Sequence, residues 1–323
     1  MNRIQTKALV EGAIFAAITV VIGIITFYIP LVALISIVWS VPTILIAFRH
    51  GFKVSIYSVV VSSVLVAVVT QPIEGLRFFI VFGLPGIVMG YLLNKNVRPE
   101  KTIFFTSIVL SICGIAGIYL GMLALGVNIE NVYDKFFLNI KSAYVEAANA
   151  YRMMGVSREE IAKTTEIFEK NLDLMKLILP GVIFLSGVLL SFMNFKLTKL
   201  VLKRINYSIE DVKPFSQWRL SNKGMLFVTA MLLFAVVETS MIRLPQLNAL
   251  ATNIFTVMMM VFMVLGFSVS KFFLDKYSVP KVFKGVFLFF ALFSFSQIMM
   301  LVGVLDMAVD IRKLRNKSAG DVR

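Results

Sequence analysis

The sequence has few of the residues on which most catalytic and metal sites depend. Its 323 residues include a single cysteine, Cys113, and a single histidine, His50. One cysteine excludes an intrachain disulfide, and one of each excludes a zinc site built from cysteine and histidine ligands. No nucleophile stands beside a base and no acidic residues cluster, so we expect no enzymatic activity, no bound metal and no cofactor.

Charged residues are also scarce. They make up 15% of the chain, hydrophobic residues make up 59%, and the mean hydropathy is +0.87. A soluble domain has about 25% charged and 45–50% apolar residues, so the composition excludes a soluble globular protein. The excess apolar surface must face lipid, where a helix satisfies its own backbone groups. We therefore expect an all-α, polytopic membrane protein in a lipid bilayer.

Nine stretches are long and apolar enough to cross a bilayer, for which about 20 mostly apolar residues suffice. The first is too long for the core of a cleaved signal, so we interpret it as a membrane helix. The pattern predicts a transmembrane bundle of eight to nine spanning helices. The nine stretches are residues 8–28, 31–48, 54–69, 78–93, 103–125, 177–195, 225–241, 251–270 and 282–305.

The net charge of +14 indicates the orientation of the chain in the membrane rather than binding of nucleic acid. With the N-terminus in the cytoplasm, 18 of the 32 lysines and arginines fall in cytoplasmic segments, as the positive-inside rule requires. We therefore expect a bacterial inner-membrane protein that binds no nucleic acid. The basic tail conflicts with this rule, because nine spans place its five basic residues on the outer side of the membrane. Either one late stretch fails to span fully or the tail is an exception to the rule.

Between the fifth and sixth stretches lies a polar segment that predicts an extracytoplasmic helical hairpin. Apolar residues recur there at helical spacing, Gly155 ends the first helix, and Ser157 with Glu160 forms a capping box for the second. The two helices pack on each other, cover the mouth of the bundle, or form a surface hairpin without a ligand. The predicted segments are the first five helices (1–127), the hairpin (128–176), the sixth helix (177–204), a cytoplasmic loop (205–223), the C-terminal helices (224–309) and the basic tail (310–323).

The cytoplasmic loop carries two aromatic residues beside basic ones, Phe215 and Trp218. Such residues suit a membrane interface. A loop that binds a protein partner is the alternative.

Small residues form a stripe on the first helix. Close helix packing in lipid depends on such residues, so Gly12, Ala13, Ala16 and Ala17 are a candidate helix-docking face for a second protein. Contacts within the bundle are the alternative.

The fourth stretch contains a predicted helix break that points to a cavity. Proline between glycines opens a helix at membrane depth, and such an opening is tolerated when it lines a cavity or is buried in protein. The candidate solute cavity comprises Gly83, Pro85 and Gly86 with two ionisable residues near the outer end, Glu74 and Arg77. Packing and interfacial anchoring are the alternatives. The other polar candidates, which lie within membrane stretches or just beyond their ends, are Glu11, Glu238, Arg243, Gln297 and Asp306.

Several short motifs, taken in order, resemble the YybS-like family of bacterial membrane proteins, a domain of unknown function. Their order carries the resemblance, which covers nearly the whole chain and implies a membrane location but no reaction. The motifs are residues 6–13, Arg49-His50-Gly51, residues 86–91, Lys213-Pro214-Phe215, Gly266-Phe267-Ser268, residues 303–306 and Arg312-Lys313.

The first six stretches are more remotely similar to the S-components of energy-coupling-factor transporters. That resemblance implies a bound small solute and a membrane coupling subunit that docks on Ala13 and Ala17. Our first hypothesis is therefore a solute-binding or transport component. The alternative is a non-transport assembly or regulatory protein that acts through its cytoplasmic loops and outer hairpin.

Overall fold

The computed structural model is entirely helical in its regular elements over the residues that it describes, 3–29, 40–127, 129–242 and 245–314. The predicted all-α fold is confirmed. Two π-helical turns, Phe79–Gly83 and Glu238–Ile242, and one 3-10 turn, Phe215–Gln217, interrupt the helices. The helices are α1 (Arg3–Tyr28), α2 (Ser40–Val69), α3 (Pro72–Phe78), α4 (Leu84–Asn94), α5 (Pro99–Ala124), α6 (Ile129–Met153), α7 (Arg158–Arg204), α8 (Asn222–Val237), α9 (Pro245–Lys276), α10 (Lys281–Ser294) and α11 (Ser296–Val309).

Five helical segments of the described chain are long and apolar enough to cross a membrane. A sixth is obtained if α10 and α11, which are bent by 103°, count as one span. The predicted count of eight to nine spans is not confirmed. Much of the predicted second span lies outside the described residues, and the last is broken at Phe295. The five segments are Ser40–Val69, Pro72–Asn94, Pro99–Ala124, Arg158–Arg204 and Leu247–Lys276.

The helix α2 reverses direction at Gly51, whose backbone angles are φ 78° and ψ −174°. Only glycine adopts such a conformation readily. Before Gly51, later residues of α2 contact later residues of the α3–α4 segment, so the two run parallel. After Gly51, later residues of α2 contact earlier residues of that segment, so the two run antiparallel. The contacts are Thr43 with Gly86, Ala47 with Gly90, Val59 with Gly83 and Ala67 with Gly75. The helix α2 therefore consists of two arms that run in opposite directions, and Arg49 and His50 lie at the end of the first arm.

By internal contacts the described chain divides into two compact units. Unit 1 comprises Met1–Asp173 and Ile183–Asp211, and unit 2 comprises Leu174–Val182 and Val212–Arg323. The predicted hairpin therefore belongs to unit 1 except for its last three residues.

The hairpin of unit 1 is formed by α6 and the start of α7. The ring of Tyr144 stacks on Phe168 with 3.8 Å between centroids. Ser157 caps α7, because its Oγ accepts a hydrogen bond from the Glu160 backbone N–H at 3.2 Å. The second helix does not begin and end within the hairpin, however, because α7 is 47 residues long and continues past residue 176 to Arg204. Residues 172–177 contain neither glycine nor proline, so nothing in the sequence ends the helix there.

In unit 2, α9 and α11 touch through their backbones. A Cβ on Gly266 would lie 1.7 Å from the Met299 carbonyl oxygen, and one on Gly303 would lie 2.0 Å from that of Phe262. Only glycine allows this approach.

The start of the C-terminal tail returns to the loop that precedes α8. The guanidinium of Arg312 donates to the carbonyl oxygens of Ser216 and Trp218, each at 2.8 Å. Within unit 2 the tail therefore begins beside this loop, and the bend between α10 and α11 accounts for its return. This arrangement favours a late stretch that fails to span fully over a tail that is an exception to the charge rule. Residues 315–323 lie outside the described chain.

Candidate functional site

A polar pocket lies in unit 1, where the first arm of α2 meets α4, α5 and α7. The space between its lining side chains is too narrow to hold a water molecule. Four of its lining residues are polar: Ser40, Thr106, Ser191 and Asn194. Each is more than nine-tenths buried. We call this space the polar pocket.

Helical spacing places polar residues of α7 on one face. Ser191, Asn194 and Thr198 follow one another at intervals of three and four residues, and all are buried. α5 packs closely on this part of α7, because a Cβ on Gly187 would lie 2.3 Å from a serine hydroxyl of α5. Thr106 of α5 therefore lines the same pocket as Ser191.

Four buried atoms in this region have no hydrogen-bond partner within the described structure: Thr106 Oγ1, Ser191 Oγ, Asn194 Oδ1 and Thr198 Oγ1. The Asn194 side chain is partly satisfied, since its Nδ2 donates to the Leu190 carbonyl at 3.0 Å. An unpartnered buried polar group costs about 1–3 kcal/mol. Four of them on two facing helices are a feature that needs an explanation.

Other buried serines of unit 1 bond to carbonyl oxygens of their own helices. Ser62, Ser63, Ser107 and Ser111 each do so at 2.7–2.8 Å. This internal bond is therefore available to a serine in these helices, and its absence at Ser191 is particular to the pocket.

The helix break predicted from the sequence lies beside the pocket. The π-helical turn Phe79–Gly83 comes directly before α4, and Pro85 lines the pocket. Ser40 Oγ donates to the Phe82 carbonyl oxygen in this turn at 3.3 Å. Proline supplies no backbone N–H, and π-helical turns occur frequently at functional sites.

The five residues of the predicted solute cavity do not come together. Of these residues only Pro85 lines the pocket; Gly83 packs on Val59 and Gly86 on Thr43. Glu74 and Arg77 pair with each other at 3.3 Å and do not line it. Glu74 lies near the start of α3, about three helical turns from Pro85, so a solute cavity that includes this residue stays a prediction.

The predicted docking stripe on α1 has two faces. Gly12 and Ala16 are buried against α2, whose Ser58 and Ser62 hydroxyls donate to their carbonyl oxygens at 3.0 and 3.5 Å. The neighbouring Ala13 and Ala17 remain exposed. The first pair therefore holds the bundle together, and only the second pair is available to another protein.

Glu11 ties α1 to the reversal in α2. Its carboxylate accepts Arg49 Nη1 at 2.8 Å and lies 2.7 Å from His50 Nε2. The Arg49 guanidinium also lies over the Tyr207 ring at 5.6 Å. Since these groups engage one another, the arrangement is a structural contact between α1 and α2.

In unit 2, Asp306 forms a buried network with Arg312. Arg312 Nε and Nη2 donate to Asp306 Oδ2 at 3.1 and 2.8 Å, and Nη1 donates to Ser268 Oγ at 2.8 Å. With the bonds to Ser216 and Trp218, all five guanidinium N–H groups are satisfied. A small cavity lies beside Asp306.

This network joins motifs that the sequence analysis treated separately. Ser268 Oγ donates to the carbonyl oxygen of Phe215 at 2.6 Å, and the Phe215 side chain packs with Phe267 and Met299. Phe215 and Trp218 are half-buried within unit 2, so neither lies fully open to lipid or to a partner. The sequence analysis did not predict that Arg312 joins these motifs. The order of the motifs along the chain was the one signal in the sequence that set Arg312 apart.

Of the remaining polar candidates, Glu238 is 1% exposed and neither of its carboxylate oxygens has a hydrogen-bond partner within the described residues. Gln297 is exposed. Arg243 lies outside the described residues. Histidine, cysteine and acidic side chains of the described chain form no group of three or more that could hold a metal ion.

Comparisons with known proteins identify the family. A family described as "Predicted membrane protein (DUF2232)" matches residues 17–307. The chain belongs to this family. It is also 25% identical over 313 residues to "Uncharacterized protein YybS" of Bacillus subtilis (strain 168), which covers 95% of this chain and 98% of that protein. No solved structure matches the chain at a significant level.

The family match confirms the predicted YybS-like resemblance, and with the apolar helices it makes the chain a multi-pass membrane protein. The remoter similarity to S-components stays a prediction.

Proposed function

We propose that the chain is a solute-binding component of a bacterial membrane transport system, and that the polar pocket of unit 1 is the closed form of its binding site. The observation that carries the proposal is the set of unpartnered oxygens on Thr106, Ser191 and Asn194. A bilayer offers no water to satisfy such groups, so a polar ligand is the partner that accounts for them. The proposal includes no catalytic step and no cofactor.

The break before α4 supports an opening of the pocket. Sites for small organic molecules measure about 300–1,000 Å³, whereas this pocket has no room for a water molecule and must expand to admit such a ligand. The π-helical turn Phe79–Gly83 and Pro85 weaken the helix beside the pocket. A shift of α4 at this break is the movement that we assign to ligand entry.

A separate coupling subunit completes the proposed system, as the similarity to S-components implies. The exposed pair Ala13 and Ala17 is its docking face, together with the exposed Val10 and Ile14. In this arrangement the N-terminus is cytoplasmic and the membrane is the inner one.

A ligand retained during purification provides the test. Small molecules extracted from the purified wild type and from Asn194→Leu are compared by mass spectrometry, with the Gln297→Leu variant as a control at an exposed position. We expect a compound in wild type and Gln297→Leu that is at least tenfold depleted in Asn194→Leu. Identical extracts from all three proteins would contradict an organic ligand in the pocket.

The alternative, an assembly or regulatory protein, is favoured by the end of the hairpin. Tyr151, Met153 and Met154 expose 58%, 89% and 78% of their surface there. Large exposed apolar residues grouped in this way mark contact sites. If this function holds, Met153→Ser with Met154→Ser lowers the mass of the native membrane complex on blue-native gels, whereas Asn194→Leu leaves it unchanged.

A further inference from the structure

We propose that the polar pocket binds a dehydrated monovalent cation, for which Na⁺ is the probe. This inference rests on the proposed function, since it names the ligand class of the same site. It follows from the kind of atoms that line the pocket, from their charge and from the size of the space.

The lining atoms without partners are all oxygens. Thr106 Oγ1 and Ser191 Oγ are hydroxyls, and Asn194 Oδ1 is a carbonyl-type acceptor. One N–H of the Asn194 amide donates to the Leu190 carbonyl, and the amide oxygen has no partner within the described residues. The lone pairs of such a set can coordinate a cation, and no positively charged side chain that would favour an anion lines the pocket.

The lining is also neutral. Calcium and magnesium ions take carboxylate ligands, and no carboxylate lines the pocket. Two acidic residues of unit 1, Glu11 and Glu74, form ion pairs with Arg49 and Arg77. Neutral hydroxyl and carbonyl oxygens suit a monovalent ion, whose hydration shell they replace in channels and transporters.

The size of the pocket fits the same ligand. In this structure the space is too narrow for a water molecule. A dehydrated Na⁺ is smaller than a water molecule.

The test measures binding of ²²Na⁺ to the full-length purified protein in detergent, at constant ionic strength with choline chloride. Three variants remove pocket oxygens: Asn194→Leu and the near-isosteric Ser191→Ala and Thr106→Val. Ser63→Ala is the matched control, because Ser63 is a buried serine of unit 1 that bonds to its own helix at 2.7 Å. Thermal unfolding in choline chloride checks that each variant is folded.

We expect saturable binding in wild type and Ser63→Ala, with affinity at least tenfold weaker in Asn194→Leu and severalfold weaker in the other two. Absence of saturable ²²Na⁺ binding, or binding to all three pocket variants within twofold of wild type, would overturn the cation site. If an organic compound is nevertheless retained by wild type and lost from Asn194→Leu, the proposed function stands and the cation site falls. If neither ligand depends on Asn194, both proposals fall.

Discussion

The polar clusters of the two units differ in how completely their hydrogen bonds are made. In unit 2, every N–H of the Arg312 guanidinium has an acceptor within 3.1 Å. In unit 1, the polar pocket contains oxygens on Thr106, Ser191 and Asn194 without a partner. A satisfied network fixes one arrangement of its elements, whereas an unsatisfied one stabilises the protein only when something else binds. We therefore interpret the first as a structural joint and the second as a site.

Among the variants that test this comparison, the replacement of Arg312 is expected to lower the stability of the protein most. Arg312→Met leaves the buried Asp306 carboxylate without its partner, and breaking a buried pair in this way costs about 3–5 kcal/mol. Chemical unfolding of the purified protein in detergent measures the loss. The exposed neighbour Lys313 provides the control, and Lys313→Met should leave stability unchanged. A loss below about 1 kcal/mol for Arg312→Met would mean that the network is not a joint.

A cluster of intermediate character lies at Glu11. Its carboxylate holds Arg49 and His50, but Arg49 Nε has no partner within the described residues. Because Glu11→Gln removes charge-assisted bonds and preserves shape, we expect a loss of about 1.5–3 kcal/mol. Unfolding beside the exposed-site variant Glu146→Gln measures it. Equal stability of the two variants would remove Glu11 from the contacts that hold α1 on α2.

Two serines of unit 1 test the comparison, because their replacement by alanine is expected to change the stability of the protein in opposite directions. Ser191→Ala deletes a hydroxyl without a partner, so without ligand it should stabilise the protein by about 1 kcal/mol. Ser63→Ala deletes a hydroxyl bonded to the Val59 carbonyl and should destabilise it by about 0.5–1.5 kcal/mol. Unfolding is measured in sodium-free buffer. Destabilisation of both variants to the same extent would show that Ser191 has a partner in the protein.

Local patterns in the sequence predicted the features that depend on neighbouring residues. Apolar stretches predicted the helices, the spacing of Ser157 and Glu160 predicted the cap of α7, and Gly83 with Pro85 predicted the interruption before α4. Each depends on interactions within one or two helical turns, which composition and spacing describe.

The features that the sequence could not predict depend on distant contacts. Arg312 reaches an acceptor 96 residues away at Ser216, and nothing near Arg312 in the sequence distinguishes it from the other basic residues of the tail. Ser191 and Ser63 are also alike in sequence, since both lie in apolar helices. Whether a hydroxyl finds a partner depends on the rotamer it adopts and on which helix faces it. The site is therefore visible only when the packing of α5 on α7 is known.

A surface cluster at the end of α7 is expected to make the smallest contribution to stability among the clusters compared. Asp211 lies 2.7 Å from Lys196 Nζ and 2.8 Å from Lys199 Nζ. Partial burial raises the pKa of Asp211, but the hydrogen bonds and charges of the two lysines outweigh this and hold the pKa below its usual range. A lowered pKa stabilises the folded state above the pKa of the unfolded chain, about 3.9, and this contribution disappears as the pH falls through the folded pKa.

The expected size of this effect is small, because the Asp211 side chain is 41% exposed and solvent screens the pair to below about 1 kcal/mol. Unfolding at pH 6 and pH 3 should therefore show a slightly larger loss of stability on acidification for wild type than for Asp211→Asn. A pH dependence that is the same in both proteins would mean that satisfied bonds at an exposed site contribute nothing measurable. Satisfaction of hydrogen bonds would then stabilise this protein only where burial accompanies it, as it does at Arg312.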